Sequence, residues 1–105
     1  MLESFPNPGV AFVELVSDEV TSLGPGNAQP DWYVVAIEYS PDELCLESKS
    51  LKLYLQQFRD QELYCESFAV RVRDDVAEAL RLDRDRVSVT LEQKSRGGIT
   101  ITATA

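Results

Sequence analysis

Glu47-Ser48-Lys49-Ser50-Leu51-Lys52-Leu53-Tyr54-Leu55-Gln56-Gln57-Phe58 is the stretch at which the chain changes its period. Leu51, Tyr54, Leu55 and Phe58 fall at i, i+3, i+4 and i+7, the apolar stripe of an amphipathic helix, and predict a helix over 48–58. Upstream the period is two. Val10 to Val20 is rich in Val, Phe and Leu, and Trp32 to Tyr39 sets Tyr33, Val35, Ile37 and Tyr39 against Trp32, Val34, Ala36 and Glu38. Downstream, a second helical pattern from about Ser67 to Leu80 carries Phe68, Val72, Val76, Ala79 and Leu80 on one side. Alternation then returns over Val87 to Glu92 and Ile99 to Thr104, joined by the glycine-containing loop Lys94-Ser95-Arg96-Gly97-Gly98 as a hairpin. The order ββααββ predicts an α+β domain over 1–105: a four-stranded antiparallel sheet with both helices on one face. That arrangement leaves the second face and the outer edges uncovered, so association into a homo-oligomer with ligand sites at subunit boundaries is expected.

Composition narrows the chemistry. The 105 residues carry 18 acidic and 10 basic side chains, a net charge of -8, so a nucleic-acid backbone meets a repulsive average field. No apolar run approaches the roughly 20 residues needed to cross a bilayer. The N-terminal residues show neither a basic region nor a continuous hydrophobic stretch, and a cytoplasmic location is the expectation. There is no histidine, which excludes imidazole-based triads and most zinc sites; no metal is expected. Cys45 and Cys65 are too far apart for a CxxC motif and too few for a disulfide framework. Cys45, between Leu44 and Leu46, reads as a buried small hydrophobe, whereas Cys65 sits in the more polar run Tyr64-Cys65-Glu66-Ser67.

The candidate site begins at the same helix start. Ser48, Lys49, Ser50 and Lys52 place two hydroxyls and two ammonium groups in the first turn or so, where unpaired backbone N–H groups attract anions; a serine cap on a solvated basic face accounts for the same residues. Asp31, after Gln29-Pro30 at the mouth of a strand, is a general acid–base candidate or a turn acceptor. Glu66, between the helices, can pair with two adjacent donors on a guanine-like ring or face solvent. Arg96 with Gly97 and Gly98 permits close backbone approach to an anion, although glycine in a hairpin has a purely geometric use as well.

Taken together, Leu2-Glu3-Ser4-Phe5-Pro6, Thr21-Ser22-Leu23, Gln29-Pro30-Asp31, Glu47 to Leu55, Phe58-Arg59 and Arg96-Gly97-Gly98-Ile99 resemble the QueF nitrile reductases, the NADPH-dependent 7-cyano-7-deazaguanine reductases of queuosine biosynthesis. The resemblance implies the tunnelling fold, a ββααββ subunit that assembles into stacked rings with sites between subunits. It implies NADPH at Ser48, Lys49, Ser50, Lys52, Arg96 and Gly97, and the deazaguanine base at Glu66 with Glu47. In that family a cysteine attacks the nitrile to give a thioimide, an aspartate assists proton transfer, and two hydrides yield the aminomethyl product. Asp31 matches the aspartate. The family's Thr-Ser-Leu-Cys-Pro reads Thr21-Ser22-Leu23-Gly24-Pro25 here, and its Thr-Gly-Gln-Pro-Asp reads Asn27-Ala28-Gln29-Pro30-Asp31, so the nucleophile is replaced within a loop that has itself diverged.

Three functions follow from that mismatch. The first is an enzyme that still binds a 7-deazapurine or a related purine-like or pterin-like ring but performs chemistry that does not pass through position 24. The second is residual nitrile reduction through Cys65, which stands where several relatives carry a proton-donating histidine. The third is a non-catalytic binding or assembly subunit.

Overall fold

A computed structural model describes residues 1–105. Its main sheet has the order β2-β3-β5-β6, antiparallel throughout, from β2 (Val13–Leu23), β3 (Pro30–Tyr39), β5 (Val87–Arg96) and β6 (Ile99–Thr104). Between β3 and β5 lie α1 (Ser48–Gln56), continued by a 3-10 turn Gln57–Asp60, and α2 (Cys65–Leu80). The ββααββ order expected from periodicity is therefore the order of the main elements. One pair was not expected: β1 (Ser4–Pro6) and β4 (Leu44–Leu46) form a separate two-stranded sheet, Ser4 opposite Leu46.

Both helices cover the face from which Tyr33, Val35, Ile37, Val89 and Leu91 project, all nearly inaccessible to water. Phe58 and Phe68 are wholly buried between helices and sheet, with ring centroids 4.7 Å apart, and Tyr33 meets Phe68 edge-on at 5.2 Å. The two helices are tied by the Tyr54 hydroxyl, which donates to Asp75. Helix α2 ends at Arg81 in the left-handed conformation, with the Leu82 N–H donating to Ala77 O at 3.0 Å. The opposite face has no helix over it and exposes Val16 and Trp32, while β2 and β6 are the sheet's edges, β2 being paired at Leu23 alone, with the Gln61–Leu63 segment.

Three boundaries differ from the sequence reading, each for a local reason. The first long strand runs Val13–Leu23 and not from Val10, because the Asn7 side chain takes up both the N–H and the carbonyl of Val10 in a turn. Helix α2 starts at Cys65, two residues early, with no side-chain cap at Tyr64 to announce it, so Cys65 and Glu66 belong to its first turn and not to the interhelix connection. The β5–β6 connection narrows to Gly97 and Gly98, both at positive φ (63° and 83°), so Lys94 to Arg96 are strand.

Candidate functional site

At one end of the sheet the β2–β3 hairpin closes over Asp31. Ser22 and Asp31 are cross-strand partners, and on β3 Asp31 has the same parity as Tyr33 and Val35, which turns it to the core face. The residue is 7 % exposed, so it is buried at the mouth of the strand and is not a solvated turn acceptor. Its Oδ1 lies 3.5 Å from Arg96 Nη2, but that nitrogen gives its short hydrogen bond, 2.7 Å, to Pro30 O. The carboxylate accepts no hydrogen bond within the chain; no side-chain oxygen is both fully buried and unpartnered, so its oxygens keep contact with solvent at the mouth of the strand. Nearby, the Ser22 hydroxyl donates to the Tyr33 phenol at 3.1 Å. Burial pushes the Tyr33 phenol above its ordinary range; the Ser22 hydrogen bond opposes this, and negative charge at Asp31, Cys65 and Glu66 adds to it. The Cys65 thiol reaches Leu91 O, opposite Val35 of β3, and Phe68 packs on Tyr33, so the first turn of α2, with Cys65 and Glu66, lies over the same end of the helix-covered face as Asp31.

Gly24 is buried beside them. Its N–H donates to Gln29 O at 2.8 Å, and its carbonyl accepts from Ala28 N at 3.3 Å, with Ala28 itself left-handed at φ 54°. A Cβ at this position would stand 2.7 Å from Asn27 Oδ1 and 3.1 Å from Asp31 Oδ2. The Asn27 oxygen is held there by accepting from Gln29 N at 3.0 Å. A side chain at position 24 would thus require the Asn27 side chain to swing away and give up its bond to Gln29 N.

Cys65 requires a correction. The polar setting expected for it is a core setting: the residue is 2 % exposed, and its thiol faces Leu91 O at 3.7 Å. Burial, then the charge of Glu66, pushes the thiol above its ordinary value, the opposite of what an activated nucleophile needs.

The segment at Glu47 lies at the other end. Leu46 N donates to the Tyr39 hydroxyl at 2.8 Å, which seats the start of α1 beside the last residue of β3; α1 and the 3-10 turn then run back along β2 until Leu23 N reaches Gln61 O at 2.9 Å. Asp31 and Tyr39 are eight residues apart on β3, roughly 25 Å at the rise of a strand. One chain therefore does not bring Asp31 and the Glu47–Lys52 segment together.

At this helix start, Glu47 is the cap. Its Oε2 accepts from Lys49 N at 2.8 Å and its Oε1 from Ser50 N at 2.7 Å, and these two backbone bonds hold its carboxyl below the usual range. The backbone donors expected to receive an anion are thus already taken by the protein's own carboxylate. Ser50 is also engaged: its hydroxyl donates to Glu47 O and accepts from Glu3 N, both at 2.9 Å, and it is buried. What remains open is a side-chain stripe. Ser48, Lys52, Gln56 and Arg59 line a groove of about 730 Å³ against β2, opposite Thr21 and Glu19.

A family model described as "QueF-like protein" matches residues 30–105. A curated relative from Chlorobium phaeovibrioides, named NADPH-dependent 7-cyano-7-deazaguanine reductase, is 39 % identical over 89 % of this chain and 78 % of its own length. Another of the same name, from Chloroherpeton thalassium, is 36 % identical over 100 % of this chain and 91 % of its own. The chain belongs to the QueF-like family. A crystal structure of an archaeosine synthase QueF-Like in the apo form matches with a TM-score of 0.81 at 23 % identity, covering 92 % of this chain and 93 % of that one, so the family's fold is the fold found here.

In this QueF-like chain, Asp31, Arg96, Glu66 and Gly97 gather at the hairpin end, whereas Glu47, Ser48, Lys49, Ser50 and Lys52 gather at the start of α1. Two groups escaped the sequence reading. Arg59 completes the stripe Ser48, Lys52, Gln56, Arg59, whose spacing of i, i+4, i+8, i+11 was legible as a second helical face. Asn27 had only the general turn signal of Gly24-Pro25-Gly26-Asn27.

Proposed function

We propose that this QueF-like protein binds a guanine-like ring, a 7-deazapurine or a related purine or pterin, without forming a covalent bond to it, at a site completed between subunits. The observation that carries the reading is the buried Asp31 carboxylate, which accepts no hydrogen bond within the chain and faces a position, Gly24, that offers no nucleophile. A carboxylate left in this state is suited to a ligand N–H. Glu66, exposed in the first turn of α2, supplies a second carboxylate for adjacent donors on the ring.

Assembly is part of the proposal. The separation of the Asp31 end from the Glu47 end, the sheet edges β2 and β6, and the uncovered face with Val16 and Trp32 all favour a partner subunit that brings one chain's α1 to another's hairpin. The groove along α1 suits a phosphate-bearing cofactor through Lys52, Arg59 and Ser48, with Lys49 beside it; NADPH, when bound, supplies hydride. Ser50 acts here as a brace for the helix start and not as a contact, and Arg96 as the partner of Asp31. The alternative nucleophile, Cys65, is opposed by its burial and raised pKa.

Isothermal titration of the protein with 7-cyano-7-deazaguanine, 7-deazaguanine, guanine and a pterin tests the reading, with intact mass recorded in parallel. Binding of at least one ring, weakened in Asp31→Ala and without any mass increment, is expected. Silence toward all four overturns it, and a stable adduct with the nitrile overturns its noncovalent part.

A further inference from the structure

We infer that the Gly24–Gln29 loop makes the site selective for a ligand substituent that donates hydrogen bonds and carries positive charge, such as an aminomethyl group, over an acceptor such as a nitrile. The inference rests on the ring-binding reading above and adds what the loop does to the group attached to that ring.

Two oxygens define the preference. Asn27 Oδ1 and Asp31 Oδ2 stand 2.7 and 3.1 Å from the point where a side chain at Gly24 would begin. Amide orientation is fixed by a neighbour: Asn27 Oδ1 accepts from Gln29 N at 3.0 Å, so the oxygen and not the nitrogen is the atom held against Gly24. Asn27 Nδ2 lies farther from that point than either Oδ1 or Cγ. A ligand group arriving beside Gly24 therefore meets acceptors first.

Charge acts in the same direction. Asp31 and Glu66 both bear on this end, and Glu62 reaches the loop by accepting from Gly26 N at 3.3 Å. The one cation in contact is Arg96, whose Nη2 is already engaged by Pro30 O and Asp31 Oδ1. Asp31 is more than nine-tenths buried and accepts no hydrogen bond, so its lone pairs are free for a donor from the ligand. An ammonium carries three donors and relieves the excess of negative charge; a nitrile nitrogen is only an acceptor and meets oxygen lone pairs. Charge-assisted hydrogen bonds are the strong ones, which makes the preference large enough to measure.

The experiment is calorimetric titration of the whole protein with three probes: 7-deazaguanine, 7-cyano-7-deazaguanine and 7-aminomethyl-7-deazaguanine. The aminomethyl compound is expected to bind about tenfold to a hundredfold more tightly than the nitrile. Asn27→Ala, on an exposed loop, and Asp31→Asn are each expected to shrink that ratio, while binding of unsubstituted 7-deazaguanine changes less in Asn27→Ala. Equal or tighter binding of the nitrile, or a ratio unmoved by both substitutions, overturns the inference and leaves the ring-binding reading standing. Failure of all three compounds to bind overturns that reading, and this inference falls with it.

Discussion

The two ends of this chain treat their polar groups in opposite ways. At the start of α1, Glu47 caps two backbone N–H groups, and Ser50 links Glu47 to Glu3, so each buried or half-buried group is matched within the protein. At the hairpin end, Asp31 is buried with one cation at 3.5 Å and no hydrogen bond within the chain. A network closed within the protein stabilises the fold, whereas a carboxylate bonded only by solvent and a distant guanidinium contributes little to it and keeps its lone pairs open to a ligand. The contrast separates residues that look equally functional in sequence: Glu47 and Ser50 are engaged within the scaffold, whereas Asp31 keeps the lone pairs that the proposed ring site would use.

The largest effect expected from that contrast is on binding. Asp31→Ala should reduce affinity for a 7-deazaguanine by about a hundredfold, the scale for removing one partner of a buried charged hydrogen bond. Thermal unfolding of the same variant should change little, because no hydrogen bond within the chain is lost and Arg96 remains substantially exposed. A loss of stability as large as that of a core truncation such as Phe68→Ala, about 3–5 kcal/mol, would place Asp31 among the structural residues and break the comparison.

Gly24→Cys tests the closed loop. The added side chain meets Asn27 and Asp31 within 2.7 and 3.1 Å, and overpacking of this kind costs about 1–3 kcal/mol. Chemical denaturation should register that loss, and the Gly24→Cys, Asn27→Ala pair should recover most of it. Incubated with 7-cyano-7-deazaguanine, the single variant should give little adduct. The pair should give a mass increase equal to the whole ligand, since a thiolate adding to a nitrile carbon forms C–S, breaks one C–N π bond to leave C=N–H with uptake of a proton, and expels nothing. Full adduct formation by Gly24→Cys alone would mean that Asn27 yields readily and that the loop is not closed.

Ser50→Ala and Lys52→Ala sharpen the comparison inside α1. Removing the Ser50 hydroxyl leaves Glu3 N–H without its acceptor, so stability should fall by about 1–3 kcal/mol in equilibrium denaturation. Lys52 is exposed on the groove, and its loss should leave stability within about 0.5 kcal/mol while weakening NADPH binding read by fluorescence. The reverse pattern would assign Ser50 to the ligand.

Much of this was legible before any coordinates. The period-two runs gave β3, β5 and β6, and the i, i+3, i+4, i+7 stripe gave α1, because each buries one face and the pattern repeats long enough to read. Signals for two burials were present but were not read: Asp31 shares the parity of Tyr33 and Val35, against its expected place in a turn, and Cys65 precedes Phe68, Ala69 and Val72 at i+3, i+4 and i+7, against its expected polar setting. The three-residue strands β1 and β4 were not legible, because Pro6 and so short a span leave no period to detect. The convergence of Asn27 and Asp31 over Gly24 depends on loop conformation, including the left-handed Ala28, and no local pattern encodes it.

The smallest expected effect is a pH dependence confined to the satisfied end. Two backbone N–H groups lower the Glu47 pKa in the folded chain. For a carboxyl with a depressed folded pKa, the stabilisation is complete above the unfolded value, about 4.3, and is lost as pH falls through the lower folded value. Between neutrality and about pH 5 the cap should therefore contribute fully, and below about pH 4 it should progressively weaken. Glu47→Gln should lower Tm by a few degrees at pH 7, and the gap between variant and parent should close as both are acidified. The informative quantity is the difference between the two curves, since other carboxylates, Asp42 in its bidentate pairing with Arg86 among them, lose their own contribution over the same range in both proteins. A gap that stays constant down to pH 3 would show that Glu47 caps the helix through shape and amide-like hydrogen bonding alone, and the charge assigned to the start of α1 would have no part in holding it.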